Sequence, residues 1–513
     1  MILAASTLGH SLLKAGLILD ALFAAEALCS IGRTRRIAVA GALVLSPLLL
    51  AGALWKSTQV LQLRHHALLA AVAIVVGLVT IATLARVLRS RPRLFALCAV
   101  IALPFRFSLI SGGTGGVLLV LYLVVAAGAL ALVVWDAPAR EPPDGVATQT
   151  GRPQQPAGGS DQPSEPPAGL LARALAVFVV LYAIGTLYTP DPSRAAEEVC
   201  FFYVPFALLF VLLARVRWDR ALLRRCAQAV VALALVFVAV AAVEYASRHL
   251  LFHPALNSNQ RFFRVNSLFY DPNIYGRFLA LAMVLLAAAM MWESSRRRVA
   301  LAAAVLAVLW LGLLGSVSQS SIVALLAGLV VIAAARFSPR ATAVGATLVL
   351  AVAVVVALAA AGRLHLSFSD TASANNATSG RVSLVKQGAK LFADRPIAGF
   401  GSASFSCEYL RHMTHTRSYV CGAPGPAGVT SDSHTTPVTI AAEQGVIGLV
   451  AYVALLAAAV LTLARGGLRR SPVRVAILAA FVALVVHTWA YADFVEDPIT
   501  WVLLAIGAVV ARE

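Results

Sequence analysis

The chain repeats one kind of segment, an apolar run long enough to cross a bilayer, as at Ala67–Ala85, Val117–Trp135 and Ala341–Ala361. A helix needs about 20 apolar residues to span the hydrocarbon layer. In lipid, only helices and closed barrels satisfy their own backbone polar groups. The runs here are continuous and too long for strands, so they are expected to be helices. About fifteen candidate spans follow, with centres from about residue 20 to about residue 504. A soluble core cannot absorb them. Only 12% of the 513 residues are charged, against about a quarter in soluble domains, and single soluble cores stop growing at roughly 250–300 residues. The expected fold is an all-α polytopic membrane protein with about 14–15 transmembrane helices.

The net charge of +18 invites a nucleic-acid reading, but its arrangement argues against one. The basic residues cluster between apolar runs, at Arg33–Arg36, Arg86–Arg93, Arg215–Arg225, Arg296–Arg298 and Arg465–Arg474. These clusters fall at alternate loops, as expected of cytoplasmic loops in a multi-pass protein of the bacterial inner membrane. The N-terminus then faces outward and the C-terminus inward. Asp20 and Glu26 make the first span costly in lipid. If that segment lies on the membrane surface instead, the N-terminus is cytoplasmic and the count drops to about fourteen. No cleavable signal peptide is expected.

Two segments interrupt the apolar pattern and divide the chain. Residues 1–135 form an N-terminal set of spans, and 136–169 is a Pro-, Gly-, Gln- and Ser-rich stretch expected to be a disordered cytoplasmic linker. Residues 170–361 hold the central spans, 362–440 a large outward loop, and 441–513 the last spans. The loop is not low in complexity, and long ordered loops usually carry function. Arg381–Phe392 has helical spacing, with Val382, Val385, Ala389 and Phe392 expected on one apolar face. Pro396 and Gly399-Phe400-Gly401 should end it in a turn.

Three clusters share the outward side in this topology. One is Arg261-Phe-Phe-Arg264 followed by Asp271-Pro-Asn273 and Arg277. The second is Arg381 with Lys386, Lys390 and Arg395. The third is Ser431-Asp-Ser-His434, leading to Glu443-Gln-Gly445-Val-Ile-Gly448. Arginine is a planar fork suited to phosphate; lipid headgroups and loop carboxylates are its other natural partners here. Imidazole can take a proton from a hydroxyl, and Asp432 and Ser433 stand ready to orient His434. A plain capping role is the other reading of that histidine. Asp271-Pro-Asn273 reads as a helix cap, and a helix start beneath an arginine pair also favours phosphate. Ser318-Gln-Ser-Ser321 reads as a cap with small-residue packing. Asp493 and Glu496-Asp497 could hold an arginine or act as acids. The histidines have no zinc-like spacing, so no metal is expected. Cys29, Cys98, Cys200 and Cys226 read as inert core residues. Cys407 and Cys421 share one polar outward loop and are expected to form a disulfide.

These blocks resemble a known family. Arg264 with Ser267-Leu-Phe-Tyr-Asp-Pro-Asn273-Ile-Tyr-Gly276 is similar to the arginine and helix start of the O-antigen ligase and polymerase family. Gly380-Arg381 and Asp394-Arg-Pro396-Ile-Ala-Gly399-Phe-Gly401 resemble its arginine helix and glycine turn. Ser433-His434-Thr435 and Glu443-Gln-Gly445-Val-Ile-Gly448 resemble its histidine and glutamate-glycine segment. Thr435 and Gln319 depart from it, standing where the family often has Asn and Arg.

The resemblance implies an inverting, metal-independent glycosyltransferase of GT-C type architecture with no cofactor. The implied partners are a glycan donor on polyprenyl (undecaprenyl) diphosphate and a glycan or lipid-anchored acceptor. It implies catalytic roles for Arg264, Arg381 and His434. Substrate-binding roles are expected of Arg261, Asp271, Asn273, Arg277, Arg395 and Glu443. Ligase and polymerase share a donor and are not separated by these residues. The competing class is a transporter or flippase of a lipid-linked or anionic substrate. Transporters place charge within their spans, often in repeated halves, whereas here the polar residues gather in outward loops.

Overall fold

The computed structural model describes residues 2–55, 66–105, 118–135, 169–252, 263–337, 340, 381–413, 421, 433–465 and 471–512, with the backbone alone for 2–10. The linker 136–168, Arg261, Asp432, the expected span near residue 351 and much of the 362–440 loop lie outside the described residues.

Sixteen helices are named here in chain order. The N-terminal group is α1 (Ile2–Cys29), α2 (Gly32–Ala53), α3 (Ala67–Ser90), α4 (Pro92–Ala102) and α5 (Leu119–Trp135). The next are α6 (Leu170–Gly185), α7 (Pro192–Ala214), α8 (Arg220–Ser247), α9 (Pro272–Met291), α10 (Arg296–Ser316) and α11 (Gln319–Arg336). Two short loop helices follow, α12 (Arg381–Asp394) and α13 (Phe405–Met413). The chain closes with α14 (Thr436–Ala464), α15 (Pro472–Ala490) and α16 (Pro498–Val510). No strand occurs among the described residues, and nine of their helices are long and apolar enough to cross a membrane. Every expected span among the described residues falls on a helix.

The starts follow simple chemistry. Asp219, Asp271, Ser471 and Asp497 each accept a backbone N–H of the first turn, which satisfies a donor that helix geometry leaves unpaired. Proline sits in the first turn of α9, α14, α15 and α16, where its missing N–H costs nothing.

Two apolar clusters make the core. One joins α1–α7 to α14 and α16; the other joins α8–α11. Helix α15 serves both, through Phe481 on one side and Val475 and Ala479 on the other. Helix α1 packs inside the bundle against α2 and α6. Asp20 is fully buried there, accepting a 2.5 Å hydrogen bond from Ser46 of α2, so the costly charge has a partner rather than a lipid environment.

The topology sorts the chain ends of the helices. The ends of α8, α10 and α15 meet the starts of α9, α11, α14 and α16 at one end of the bundle. The clusters at 215–225, 296–298 and 465–474 fall at the other end.

Helix α12 forms where the spacing predicts, but its buried stripe is different. Leu384, Gly388 and Leu391 face inward rather than Val382, Val385, Ala389 and Phe392. Gly388 decides the rotation: a Cβ there would lie 2.4 Å from Val438 of α14. The two helices approach through that gap.

Candidate active site

Arg264 sits in a chain segment fixed from beneath. Glu244, buried near the end of α8, accepts from the backbone N–H of Leu251, Asn266 and Ser267 at 2.8–3.2 Å. Val265 N–H donates to the Gly315 carbonyl at 3.1 Å. The guanidinium is then directed at both ends: Nε donates to the Ser316 carbonyl at 2.9 Å, and Nη2 to Asn273 Oδ1 at 3.0 Å. Asn273 Oδ1 also accepts from Ser318 Oγ at 3.0 Å. Burial lowers the Arg264 pKa first, the Asp271 carboxylate raises it, and the nearby Arg381 guanidinium lowers it again. The last effect places Arg381, at the start of α12, within electrostatic reach of Arg264.

Asp271 links this cationic corner to His434. Its Oδ1 caps α9 by accepting Asn273 N–H at 2.6 Å, and its Oδ2 accepts the Tyr491 hydroxyl at 2.9 Å. The Tyr491 ring stacks on His434, with centroids 5.3 Å apart and planes 19° from parallel. Burial, then the Asp271 charge, pushes the Tyr491 phenol well above its ordinary range, so it remains a donor to the carboxylate. His434 holds a left-handed backbone, φ 54°, as do five other non-glycine residues among those described, at a cost of about 1–3 kcal/mol. The neighbouring hydroxyls hold it there. Ser433 Oγ donates to the Thr435 carbonyl at 2.9 Å and lies 2.9 Å from Thr439 Oγ1, which accepts Ser433 N–H.

Two glycine-bearing segments far apart in sequence lock together beside α12. Gly445 breaks α14 with φ 64° and ψ −158°. A break inside a helix frees backbone groups that must find other partners. They find the turn after α12: Val446 N–H donates to Pro396 O at 2.8 Å. In return Phe400 and Gly401 N–H donate to the Ala442 and Glu443 carbonyls at 3.1 and 2.8 Å. Gly399 and Gly401 also have positive φ, and a Cβ on Gly399 would stand 2.3 Å from the Glu443 backbone. The Glu443 carboxylate, 5% exposed, accepts the N–H groups of Ala403 and Phe405 at 3.1 and 3.0 Å.

The expected site residues therefore divide. Arg264, Asp271, Asn273, Arg381 and His434 gather at one end of the bundle. Glu443 is engaged in holding the turn. Arg277, 1% exposed, is engaged in a 2.9 Å ion pair with Asp497 and a 3.4 Å bond to the Ala492 carbonyl. Arg395 lies beyond the far end of α12, its guanidinium 4.5 Å from the Phe400 ring centroid. Arg261 and Asp432 are outside the described residues. Cys407 and Cys421 form a disulfide, Cα atoms 5.4 Å apart.

Sequence reasoning missed Tyr491 and His487. His487 Nε2 lies 3.3 and 3.2 Å from the hydroxyls of Ser320 and Ser321. Ser321 is 2.8 Å from Ser318, which continues the line to Asn273 and Arg264. The Ser318–Ser321 run carried a weak signal of this, but nothing local marked His487 of α15 or Tyr491 just beyond it.

Residues 304–453 match the O-antigen ligase family model. That segment runs from within α10 to within α14 and contains Arg381, Arg395, His434 and Glu443. Arg264, Asp271 and Tyr491 lie outside it and join it only in the fold. No curated protein matches the chain. The match of this segment to the O-antigen ligase family model, on a scaffold whose described helices include nine able to cross a membrane, suggests a membrane enzyme of glycan ligation.

Proposed function

We propose that this protein transfers a glycan from a polyprenyl-diphosphate carrier to an acceptor hydroxyl, at the extracytoplasmic face of the bacterial inner membrane. The observation that supports the reading is the Asp271–Tyr491–His434 line beside Arg264, which bonds Asn273 at the start of α9, with Arg381 in electrostatic reach. The acceptor oxygen attacks the anomeric carbon from the face opposite the carrier, giving inversion. The bond from that carbon to the diphosphate oxygen breaks, and its electron pair leaves with the diphosphate. Charge growing on that group is met by the Arg264 guanidinium, fixed by Ser316 and Asn273, and by Arg381 from α12, the kind of arrangement that lowers such barriers. His434 takes the acceptor proton. The diphosphate is its own leaving group, so neither a nucleotide nor a divalent ion enters the scheme.

The sidedness rests on the basic loop clusters, which mark the end of the bundle away from the site as cytoplasmic. The test uses purified protein in lipid with a polyprenyl-diphosphate glycan, following release of the diphosphate carrier with and without acceptor. Arg381→Ala and His434→Ala should each remove turnover, and EDTA should leave it unchanged. Turnover surviving both substitutions would sink the mechanism.

A further inference from the structure

A second feature lies away from Arg264 and Arg381. The turn after α12, the segment after α6 and helix α13 enclose a cleft of about 770 Å³, lined by Tyr188, Arg395, Phe400, Glu408, Arg411 and His412. That volume is within the range of sites that bind small ligands.

The walls are held by bonds that cross elements. Tyr188 donates to the Ala398 carbonyl at 2.8 Å, tying the α6 end to the turn, while its ring stays partly open. The Arg395 guanidinium lies over Phe400, which meets the His412 ring edge-on at 6.5 Å. His412 Nδ1 donates to the Glu408 carbonyl at 2.9 Å and Nε2 lies 3.3 Å from Asp394. The disulfide at Cys407 anchors the helix that presents Glu408, Arg411 and His412.

Two acids, Glu408 and Asp394, stand at the cleft, and both face partners other than Arg395. Glu408 is paired with Arg411 at 2.6 Å, so the acid and one base offset each other. Arg395 has no carboxylate partner among the described residues. The cleft therefore offers exposed aromatic surface with one guanidinium fork that makes no ion pair among the described residues. Aromatic faces suit the C–H faces of sugar rings, and a guanidinium pairs with a carboxylate through two parallel bonds. Helix α12 has 14 residues, so at 1.5 Å per residue it separates Arg381 from Arg395 by about 20 Å. A single sugar ring does not bridge that gap, but an oligosaccharide can.

We infer that this cleft is a distal subsite for the sugar chain of the glycan, selecting chains that carry a carboxylate-bearing sugar. The inference rests on the transferase reading for its biological ligand, but its test is a binding measurement independent of turnover. The probes are tetragalacturonate and its fully methyl-esterified, uncharged counterpart. Each is titrated calorimetrically against the full chain in nanodiscs of zwitterionic lipid. The acid should bind at least tenfold more tightly than the ester. Arg395→Gln should abolish that preference, a loss of roughly tenfold expected for one charged hydrogen-bonding pair. Phe400→Leu should weaken both probes, and Arg264→Ala should leave probe binding intact. Retention of the Cys407–Cys421 disulfide checks that each variant is folded.

Equal binding of acid and ester, no binding of either, or an unchanged preference in Arg395→Gln overturns the subsite. Binding that vanishes in nanodiscs of anionic lipid assigns the cleft to phospholipid headgroups, and also overturns it. A wild type that binds tetragalacturonate but never releases carrier from a lipid-linked glycan removes the transferase reading and leaves the binding site standing.

Discussion

Replacing Gly445 with alanine should disconnect the turn after α12 from the broken helix α14. Two costs add. The backbone at φ 64° and ψ −158° lies in a region that only glycine visits freely, at about 1–3 kcal/mol for another residue. The new methyl would also sit 2.3 Å from Ile397 O, 2.4 Å from Ile397 C and 2.6 Å from Ala398 N. All three are backbone atoms, so no side-chain rotation relieves the overlap and the turn must withdraw. Withdrawal gives up the bonds Val446–Pro396, Phe400–Ala442 and Gly401–Glu443, each worth about 1 kcal/mol net. The sum is roughly 4–6 kcal/mol, large against the usual margin of about 5–15 kcal/mol for a folded protein. Gly77, in the middle of α3 with nothing within 4 Å of an added methyl, provides the control, since alanine there should stabilise its helix by about 0.5–1 kcal/mol. Thermal unfolding in detergent, followed by tryptophan fluorescence, compares the two alongside carrier release. Gly445→Ala should lower the transition and most of the turnover, while Gly77→Ala should lower neither. If both variants unfold with the wild type and turn over equally, the docking of turn on helix break does not support the site.

Tyr491→Phe keeps the ring against His434 and removes only the hydrogen bond to Asp271. A bond to a charged acceptor is worth about 1.5–3 kcal/mol, so kcat should fall roughly 10- to 100-fold, and an unchanged kcat would detach Tyr491 from the catalytic line. Asp497→Ala leaves Arg277 buried without its partner and should destabilise by about 3–5 kcal/mol. The double change Arg277→Met with Asp497→Leu should recover most of the lost stability, short by the roughly 1 kcal/mol of the α16 cap that Asp497 also supplies, and should keep turnover; stability returning without activity would assign Arg277 to substrate. Cys407→Ser should lower stability by roughly 3 kcal/mol in the chain-entropy account of such a loop, and mass spectrometry without reductant should find the wild-type cysteines linked; two free thiols would refute the pairing.

Much of the fold is legible because lipid imposes a length on every span. The described helices α1–α11 and α14–α16 fall where the apolar runs place them, and Asp271-Pro-Asn273 caps α9 as its residue types require; α13 was not foreseen. Partnership across the chain is less legible. Arg277 stands in a motif rich in candidate anion ligands, but the charge beside it arrives from Asp497, 220 residues later. Glu443 reads as a possible substrate ligand, and only the fold reveals two backbone N–H groups in front of it. The buried face of α12 also escaped its own periodicity. Leucines and valines occur on more than one side of that helix, and a glycine on α12 admitting Val438 chose between them.

The same long-range contacts explain how loop residues could support precise chemistry. Loops are ordinarily mobile, and a phosphate clamp displaced by an ångström loses much of its effect. Here Arg264 is fixed by a carbonyl at the end of α10 and by an amide at the start of α9. Arg381 rides on α12, whose buried stripe packs on α14 and whose terminal turn is bonded into the Gly445 break. His434 immediately precedes that same α14 and leans on Tyr491 from the end of α15. Each functional group is thus tied to a membrane helix within a few residues. The helix break at Gly445 is then a structural requirement rather than a flaw, because an unbroken α14 would offer the α12 turn no free backbone groups to bind.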